Sequence, residues 1–259
     1  MIRVFERAAL AAGRVILDIY EAGPNAVLKA DNSPVTEADE RAEALILEIL
    51  ADALADIPVV AEESVACGRI PETEGKAFIL VDPLDGTKEF INRRDDFTVN
   101  IALIENGVPV AGIVYAPAKG IAYVGSSAGA EKLMVASDFT VSRRTPIGVR
   151  DCQSPPVGVA SRSHSCEQTV GFLRDNGINN CKSVGSSLKF CLVAEGDADV
   201  YPRYGRTMEW DTAAGDAVLR AAGGRTVGLD GNPLSYGKRR QANDSDFANP
   251  FFIAWGAKH

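Results

Sequence analysis

Histidine is the scarcest chemistry-bearing residue: His164 and His259 are the only two in 259 residues. That scarcity argues against a His-rich zinc or iron centre. Cysteine is little better placed. Cys67, Cys152, Cys166, Cys181 and Cys191 are odd in number, widely spaced and form no Cys-x-x-Cys pair, so neither a disulfide framework nor a thiolate cluster is indicated. They read as small buried hydrophobes in a reducing compartment. Basic residues are outnumbered, 27 against 35 acidic ones for a net charge of −8, which excludes a sequence-blind nucleic-acid binder. No apolar run approaches the roughly 18 residues that span a bilayer. Arg3, Glu6 and Arg7 interrupt the N-terminal apolar stretch, so it does not read as a signal peptide. These absences place the chain in the cytoplasm, with association at the face of the inner membrane left open, and leave oxygen as the donor for any metal.

What is present is acid at the ends of apolar runs. Phe78 to Val81 reads as a buried strand that stops on Asp82. Pro83 lacks an N–H and ends the ladder, and Asp85-Gly86 supplies a turn. Two carboxylates then stand three residues apart with the Leu84 carbonyl between them, and Gly86 and Thr87 follow with N–H groups and a hydroxyl. A hard cation fits one side of such a turn and an anionic oxygen the other. Pro58 to Ala61 is a second short strand ending on acid, at Glu62-Glu63. Carboxylates brought to one end raise each other's pKa unless a cation intervenes.

The rest of the chain supplies the frame. Ile2, Phe5, Ala9, Ala12, Ile16 and Ile19 recur at helical spacing up to Gly23-Pro24. Thr36 can cap a second helix, with Asp39 three residues on as its capping-box partner, and that helix buries Ala42, Leu45, Ile46, Ile49 and Leu54. Phe97 to Glu105 and Val108 to Tyr115 flank Asn106-Gly107, a strong hairpin signal, and Ile121 to Val124 adds a strand. The first part, residues 1–145, is expected to be a helix pair on a mainly antiparallel sheet. Residues 146–259 read as a smaller α/β part: a strand at Val157 to Ala160, a helix through Leu173, a helix from about Ser186, a strand at Asp199 to Tyr201, a helix from Trp210 to Gly223-Gly224 and a last strand from Phe251 to Trp255. In it, Ser186 and Lys189 share one face near a helix start, where dipole and charge favour an anion. Arg203, just past a strand, can grip a phosphate. Asp211 stands at a helix start, as an N-cap would.

An acidic pair ending one strand, Asp82-Pro83-x-Asp85-Gly86-Thr87 ending another, and Trp210-Asp211-x-Ala213-Ala214-Gly215 opening a late helix resemble, in that order, the lithium-sensitive, magnesium-dependent phosphomonoesterases. That family includes inositol monophosphatases, fructose bisphosphatases and 3'(2'),5'-bisphosphate nucleotidases. Gly86-Thr87-Lys88-Glu89-Phe90, Gly185-Ser186-Ser187-Leu188-Lys189-Phe190, Asp199-Val200-Tyr201-Pro202-Arg203, the Lys29 to Thr36 segment and Ser161-Arg162-Ser163-His164 resemble the bacterial nucleotidase branch. The resemblance implies an α/β (α+β) layered sandwich of the sugar-phosphatase type, two sheets with interleaved helix layers in the order α-β-α-β-α. It implies two or three Mg²⁺ ions held by Glu62, Asp82, the Leu84 carbonyl, Asp85 and Asp211, with the choice between Glu62 and Glu63 open. It also implies that Thr87 with Asp39 orients and deprotonates the attacking water and that Gly86, Thr87 and Lys88 hold the scissile phosphate. His164, Ser186, Lys189 and Arg203 would contact the rest of a phosphorylated nucleotide. The implied reaction is removal of the 3'-phosphate of 3'-phosphoadenosine 5'-phosphate by a monomer or homodimer. The alternatives are an inositol or sugar phosphatase with the same machinery, and a non-catalytic nucleotide-binding protein.

Overall fold

The computed structural model describes residues 1–23, 26–28, 34–161 and 166–257. Helix α1 (Ile2–Ala22) is followed by the short hairpin β1 (Ala26–Leu28) and β2 (Pro34–Thr36), helix α2 (Glu37–Ala53), strand β3 (Val59–Ala61), helix α3 (Glu62–Ala66), strand β4 (Phe78–Asp85) and helix α4 (Thr87–Ile91). Strands β5 (Thr98–Glu105), β6 (Val108–Ala116), β7 (Ile121–Ser126), β8 (Gly129–Val135) and β9 (Val141–Ile147) complete a seven-stranded sheet in sequence order from β3 to β9. Then come β10 (Val157–Ser161), α5 (Glu167–Asp175), β11 (Asn180–Val184), α6 (Leu188–Ala194), β12 (Val200–Arg203), α7 (Glu209–Ala221), β13 (Arg225–Gly228) and β14 (Phe252–Trp255). The second sheet is five-stranded, in the order β11-β10-β12-β14-β13.

Helices α1 and α2 pack on β4, β5 and β6, helices α6 and α7 fill the space between the sheets, and α5 covers β12 on the far side. The layers therefore run α-β-α-β-α, as the resemblance implies. The large sheet is buried on both faces, so its strands are near-continuous apolar runs, and alternation sorts their side chains. In β4, Ile79 and Val81 join the core under α1 and α2, whereas Phe78 and Leu80 join the core around α6 and α7. Asp82 continues the second set. That parity points the acid toward the N-terminus of α7.

Three sequence expectations change here. Strand β4 does not stop at Asp82: it runs on to Asp85, with a register shift between Asp82 and Asp85 against β5. The irregularity takes up Pro83, whose missing N–H a regular central strand could not tolerate. The helix from Thr36 buries Leu50 as well as Ala42 and Ile46, while Leu45, Ile49 and Leu54 are only half-buried. Of the cysteines only Cys191 is buried; Cys67 and Cys181 are exposed, Cys152 and Cys166 half-buried, and none forms a disulfide.

Helix α7 sits very close to the large sheet, and glycine makes that possible. A Cβ on Gly125 would lie 2.6 Å from the Val218 Cα and 2.7 Å from the Ala217 carbonyl. Backbone cannot yield as a side-chain tip can. Gly125→Ala is therefore expected to destabilise the fold by about 1–3 kcal/mol, visible in urea unfolding as a lower midpoint with an unchanged slope. An unchanged midpoint would show that α7 can stand off the sheet.

Candidate active site

Strands β3 and β4 are parallel, with Ala61 opposite Val81, so the next residues, Glu62 and Asp82, leave the same edge side by side. Glu62 opens α3, whose N-cap residue Ala61 has no side chain to offer. The cap comes instead from Glu43 in α2. Its carboxylate accepts from the Glu63 N–H at 2.7 Å, the Ser64 N–H at 2.8 Å and the Ser64 hydroxyl at 2.7 Å. An anion on the first free N–H groups of a helix is doubly favourable. Glu43→Ala would leave these donors buried without their acceptor and is expected to remove roughly 2–3 kcal/mol of stability. If instead calorimetry showed no loss, water would be replacing the carboxylate.

After β4 the chain turns at Gly86, in the left-handed region at φ 94°. A Cβ there would also stand 3.1 Å from the Asp96 carbonyl, so glycine is demanded twice. Thr87 follows as the first residue of α4, and its hydroxyl lies 3.2 Å from both Asp39 Oδ1 and the Leu84 carbonyl. Asp39 does two things at once. Its Oδ2 accepts from the Thr36 N–H and hydroxyl, each at 2.7 Å, closing the capping box, while Oδ1 faces Thr87.

The other wall comes from the second half of the chain. Asp211 is the third residue of α7 rather than its N-cap, and its Oδ2 accepts from the Met208 N–H at 2.8 Å. Ser186 precedes α6 in the left-handed region at φ 48° and so does not share a helical face with Lys189. Its hydroxyl oxygen is buried with no partner. Lys189 is no solvated surface lysine: it is 5% exposed, and its ammonium donates to the Ser186 carbonyl. Arg203 is the last residue of β12, not beyond it, and its Nε and Nη2 donate to the Gly205 and Arg206 carbonyls at 3.2 Å each. These bonds fix the plane of the guanidinium.

Glu62, Asp82, Leu84, Asp85, Gly86, Thr87, Lys88, Ser186, Lys189, Arg203 and Asp211 all line one cleft of about 250 Å³. Asp39 stands behind Thr87. His164 and Lys29 to Ser33 of the segment before Thr36 lie outside the described residues. Glu89 and Ser187 also line the cleft, and Asn100 of β5 faces Asp82 across the ladder. None of these three was singled out as a site residue from sequence.

The electrostatics are dominated by crowded acid. Burial, then repulsion from Glu62, Asp85 and Asp211, pushes Asp82 well above the ordinary carboxyl range. Burial, then Asp85 and Glu62, does the same to Asp211. Asp85 is raised by burial, although Lys189 and hydrogen bonds from Ser187 oppose the rise. Burial pulls Lys189 down to about 8 despite the nearby Asp85. Among the described residues no three acids, histidines or cysteines meet at a single point as a closed ligand set; the acids surround a space. That space offers carboxylate and carbonyl oxygen with no soft donor, the chemistry of a hard divalent cation. The residues fit one.

A layered sandwich with acids from α3, β4 and α7 around one cleft, faced by a buried lysine and an arginine, defines a class of phosphate-handling protein. Residues 1–254 match the inositol monophosphatase family, and the chain belongs to that family. Among relatives, the 3'(2'),5'-bisphosphate nucleotidase CysQ of Escherichia coli (strain K12) is 44% identical over 243 residues, covering 93% of this chain and 94% of that protein. The crystal structure of CysQ from Bacteroides thetaiotaomicron, a bacterial member of the same family, superposes with a TM-score of 0.80 at 39% identity, covering 99% of this chain and 97% of that one. An inositol monophosphatase from Anabaena gives 0.73 at 26% identity, covering 98% and 89%.

Proposed function

We propose that this chain is a divalent-metal-dependent 3'(2'),5'-bisphosphate nucleotidase that releases the 3'-phosphate of 3'-phosphoadenosine 5'-phosphate, or of its 2' isomer or sulfated form, and leaves the 5'-phosphate in place. The observation that carries the reading is the shared cleft: acids from three distant segments on one wall, Lys189 and Arg203 on the other. The similarity to the CysQ nucleotidases over most of the chain supports the substrate class.

Glu62, Asp82, Asp85, Asp211 and the Leu84 carbonyl would hold the metal, as two or three Mg²⁺ ions. Bound divalent cations supply the positive charge that a water and a phosphate dianion need in order to meet, and that a leaving oxygen needs in order to depart. This reconciles a protein of net charge −8 with an anionic substrate. The remaining work belongs to the chain. Thr87 Oγ1 orients the attacking water, and Asp39 Oδ1, 3.2 Å behind it, takes up the proton that the hydroxyl passes on. The Gly86 and Thr87 backbone, with exposed Lys88 at the rim, positions the phosphate to be cut. Ser186, Lys189 and Arg203 grip the phosphate that stays, with His164 assigned to the same nucleotide. Glu89 adds negative charge near Lys189 and helps keep that buried ammonium protonated.

The test is a comparison of phosphate release from 3'-phosphoadenosine 5'-phosphate, inositol 1-phosphate and fructose 1,6-bisphosphate, each with Mg²⁺ and with excess EDTA. The bisphosphate nucleotide is expected to have the largest kcat/KM, and EDTA to abolish release from all three. A preference for inositol 1-phosphate would move the chain to the inositol phosphatase branch, and release that survives EDTA would remove the metal assignment.

A further inference from the structure

Ser187 occupies the N-cap position of α6, where a serine ordinarily accepts a hydrogen bond from its own helix. Here it does not: no side-chain cap bond forms, and its backbone is already helical at φ −68°, ψ −7°. Instead the hydroxyl, on a residue only 2% exposed, is turned away from α6 and into the acidic wall. Its oxygen lies 2.8 Å from Asp85 Oδ2 and 2.6 Å from the Asp211 carbonyl. Asn100 Nδ2 donates to it at 2.9 Å and reaches Asp85 Oδ2 itself at 3.5 Å.

The count of protons makes this more than packing. A hydroxyl has one proton to give, and the two acceptors within reach belong to the last residue of β4 and to the first turn of α7. The Asn100 donor occupies one lone pair and thereby aims that proton at them. Asn100 is itself buried, and its Oδ1 is left without a partner. A buried amide that gives up one of its bonds is held for the other end. The chain before Ser187 is equally constrained: a Cβ on Gly185 would stand 2.8 Å from the Asp96 carbonyl, and the Gly185 N–H donates to Asp96 Oδ2 at 3.1 Å. Ser187 is thus a short strut between the last residue of β4 and the first turn of α7, in addition to the direct packing of α7 on β4.

We propose that Ser187 is a positioning residue, anchored by Asn100, that holds Asp85 and the N-terminus of α7 at the separation a divalent cation requires. This rests on the metal-dependent reading above. Groups that orient metal ligands from behind characteristically affect affinity by about 10- to 100-fold. Removing the strut should act on the metal first and on the nucleotide only through it.

The experiment is calorimetric titration of Mg²⁺, without substrate, into the metal-free full-length chain. Wild type, Ser187→Ala, Asn100→Ala and the double variant are compared, with circular dichroism as the check on folding. Ser187→Ala is expected to weaken Mg²⁺ binding about 10- to 100-fold. The double variant should lose less affinity than the product of the two single losses, because the closer contact of Asn100 is to the hydroxyl and not to Asp85. In turnover, extra Mg²⁺ should restore most of the lost rate, with the nucleotide KM at saturating metal within about twofold of wild type. Should Ser187→Ala not fold, Ser187→Cys, which keeps the shape but donates weakly, carries the same comparison. If wild type binds Mg²⁺ and the serine variant binds it equally well, this inference fails and the metal reading stands. Multiplying losses in the double variant would likewise remove the strut. A wild-type chain that takes up no Mg²⁺ overturns the metal reading and this inference with it.

Discussion

Asp82→Asn is expected to lower kcat by on the order of 10³-fold or more, since the lost interaction carries several kcal/mol of charge stabilisation, while the metal-free protein becomes more stable. The two effects have one cause. Asp82 is 1% exposed, and burial with the repulsion of Glu62, Asp85 and Asp211 raises its pKa well above the ordinary 3.8. The folded state therefore keeps a proton that the unfolded chain has already released. Stability of the metal-free protein then falls as pH rises from the ordinary carboxyl value through the raised one, and stays lower above it. Asn keeps the shape and removes the charge, so the variant should lose part of that fall. At neutral pH its metal-free Tm should exceed that of wild type, each kcal/mol appearing as about 2–4 °C. Mg²⁺ should raise the Tm of wild type and leave the variant nearly unchanged. Wild-type turnover in the variant, or a lower metal-free Tm, would mean that Asp82 is a structural acid.

Lys189→Ala and Arg203→Ala carry the second large effect. In the proposed function both residues face a part of the substrate that is not cut, so their loss should appear in KM. Charge-assisted hydrogen bonds to a buried partner correspond to about 10- to 100-fold. The diagnostic control is adenosine 3'-phosphate, which offers no 5'-phosphate to grip: its KM should change little in either variant. Arg203→Lys should not rescue fully, because a lysine cannot reproduce the planar fork now aligned on the Gly205 and Arg206 carbonyls. Equal losses on both nucleotides would place these cations on the scissile phosphate.

The acids of the cleft are legible because strand ends are legible. Apolar runs that halt on acid at Glu62 and Asp82, and a helix opening on Trp210-Asp211, are local patterns. The parallel register of β3 on β4 merely brings together what those patterns already mark. Asp39 shows how two readings can both hold, since its two oxygens divide capping from the contact with Thr87. Lys189 is visible as a candidate, but its burial is not, because the Tyr201 ring 5.4 Å from its ammonium comes from β12, a separate element.

What could not be read depends on distance along the chain. Ser187 and Asn100 are 87 residues apart, and each alone is an ordinary polar residue near an apolar one. Glu43 lies in the middle of a helix whose pattern gives no hint that it caps another 20 residues on. Strands β8, β9, β11 and β13, at the sheet edges or one strand in from them, are not legible because polar, half-exposed strands such as Val141–Ile147 lack the apolar alternation that marks a strand. Pro83 misled for a different reason: the rule that proline ends a central strand is sound, and the irregularity between Asp82 and Asp85 is the exception it allows.

The proposed cleft site encloses divalent cations between acids from separate parts of the chain. Its most direct test is an anomalous difference map from crystals of the full chain grown with Mn²⁺ in place of Mg²⁺. Peaks are expected between Glu62, Asp82, Asp85 and Asp211, with the Leu84 carbonyl oxygen among the ligands of at least one of them. A map with no peak in the cleft at saturating Mn²⁺, or with peaks only elsewhere on the molecule, would contradict the claim.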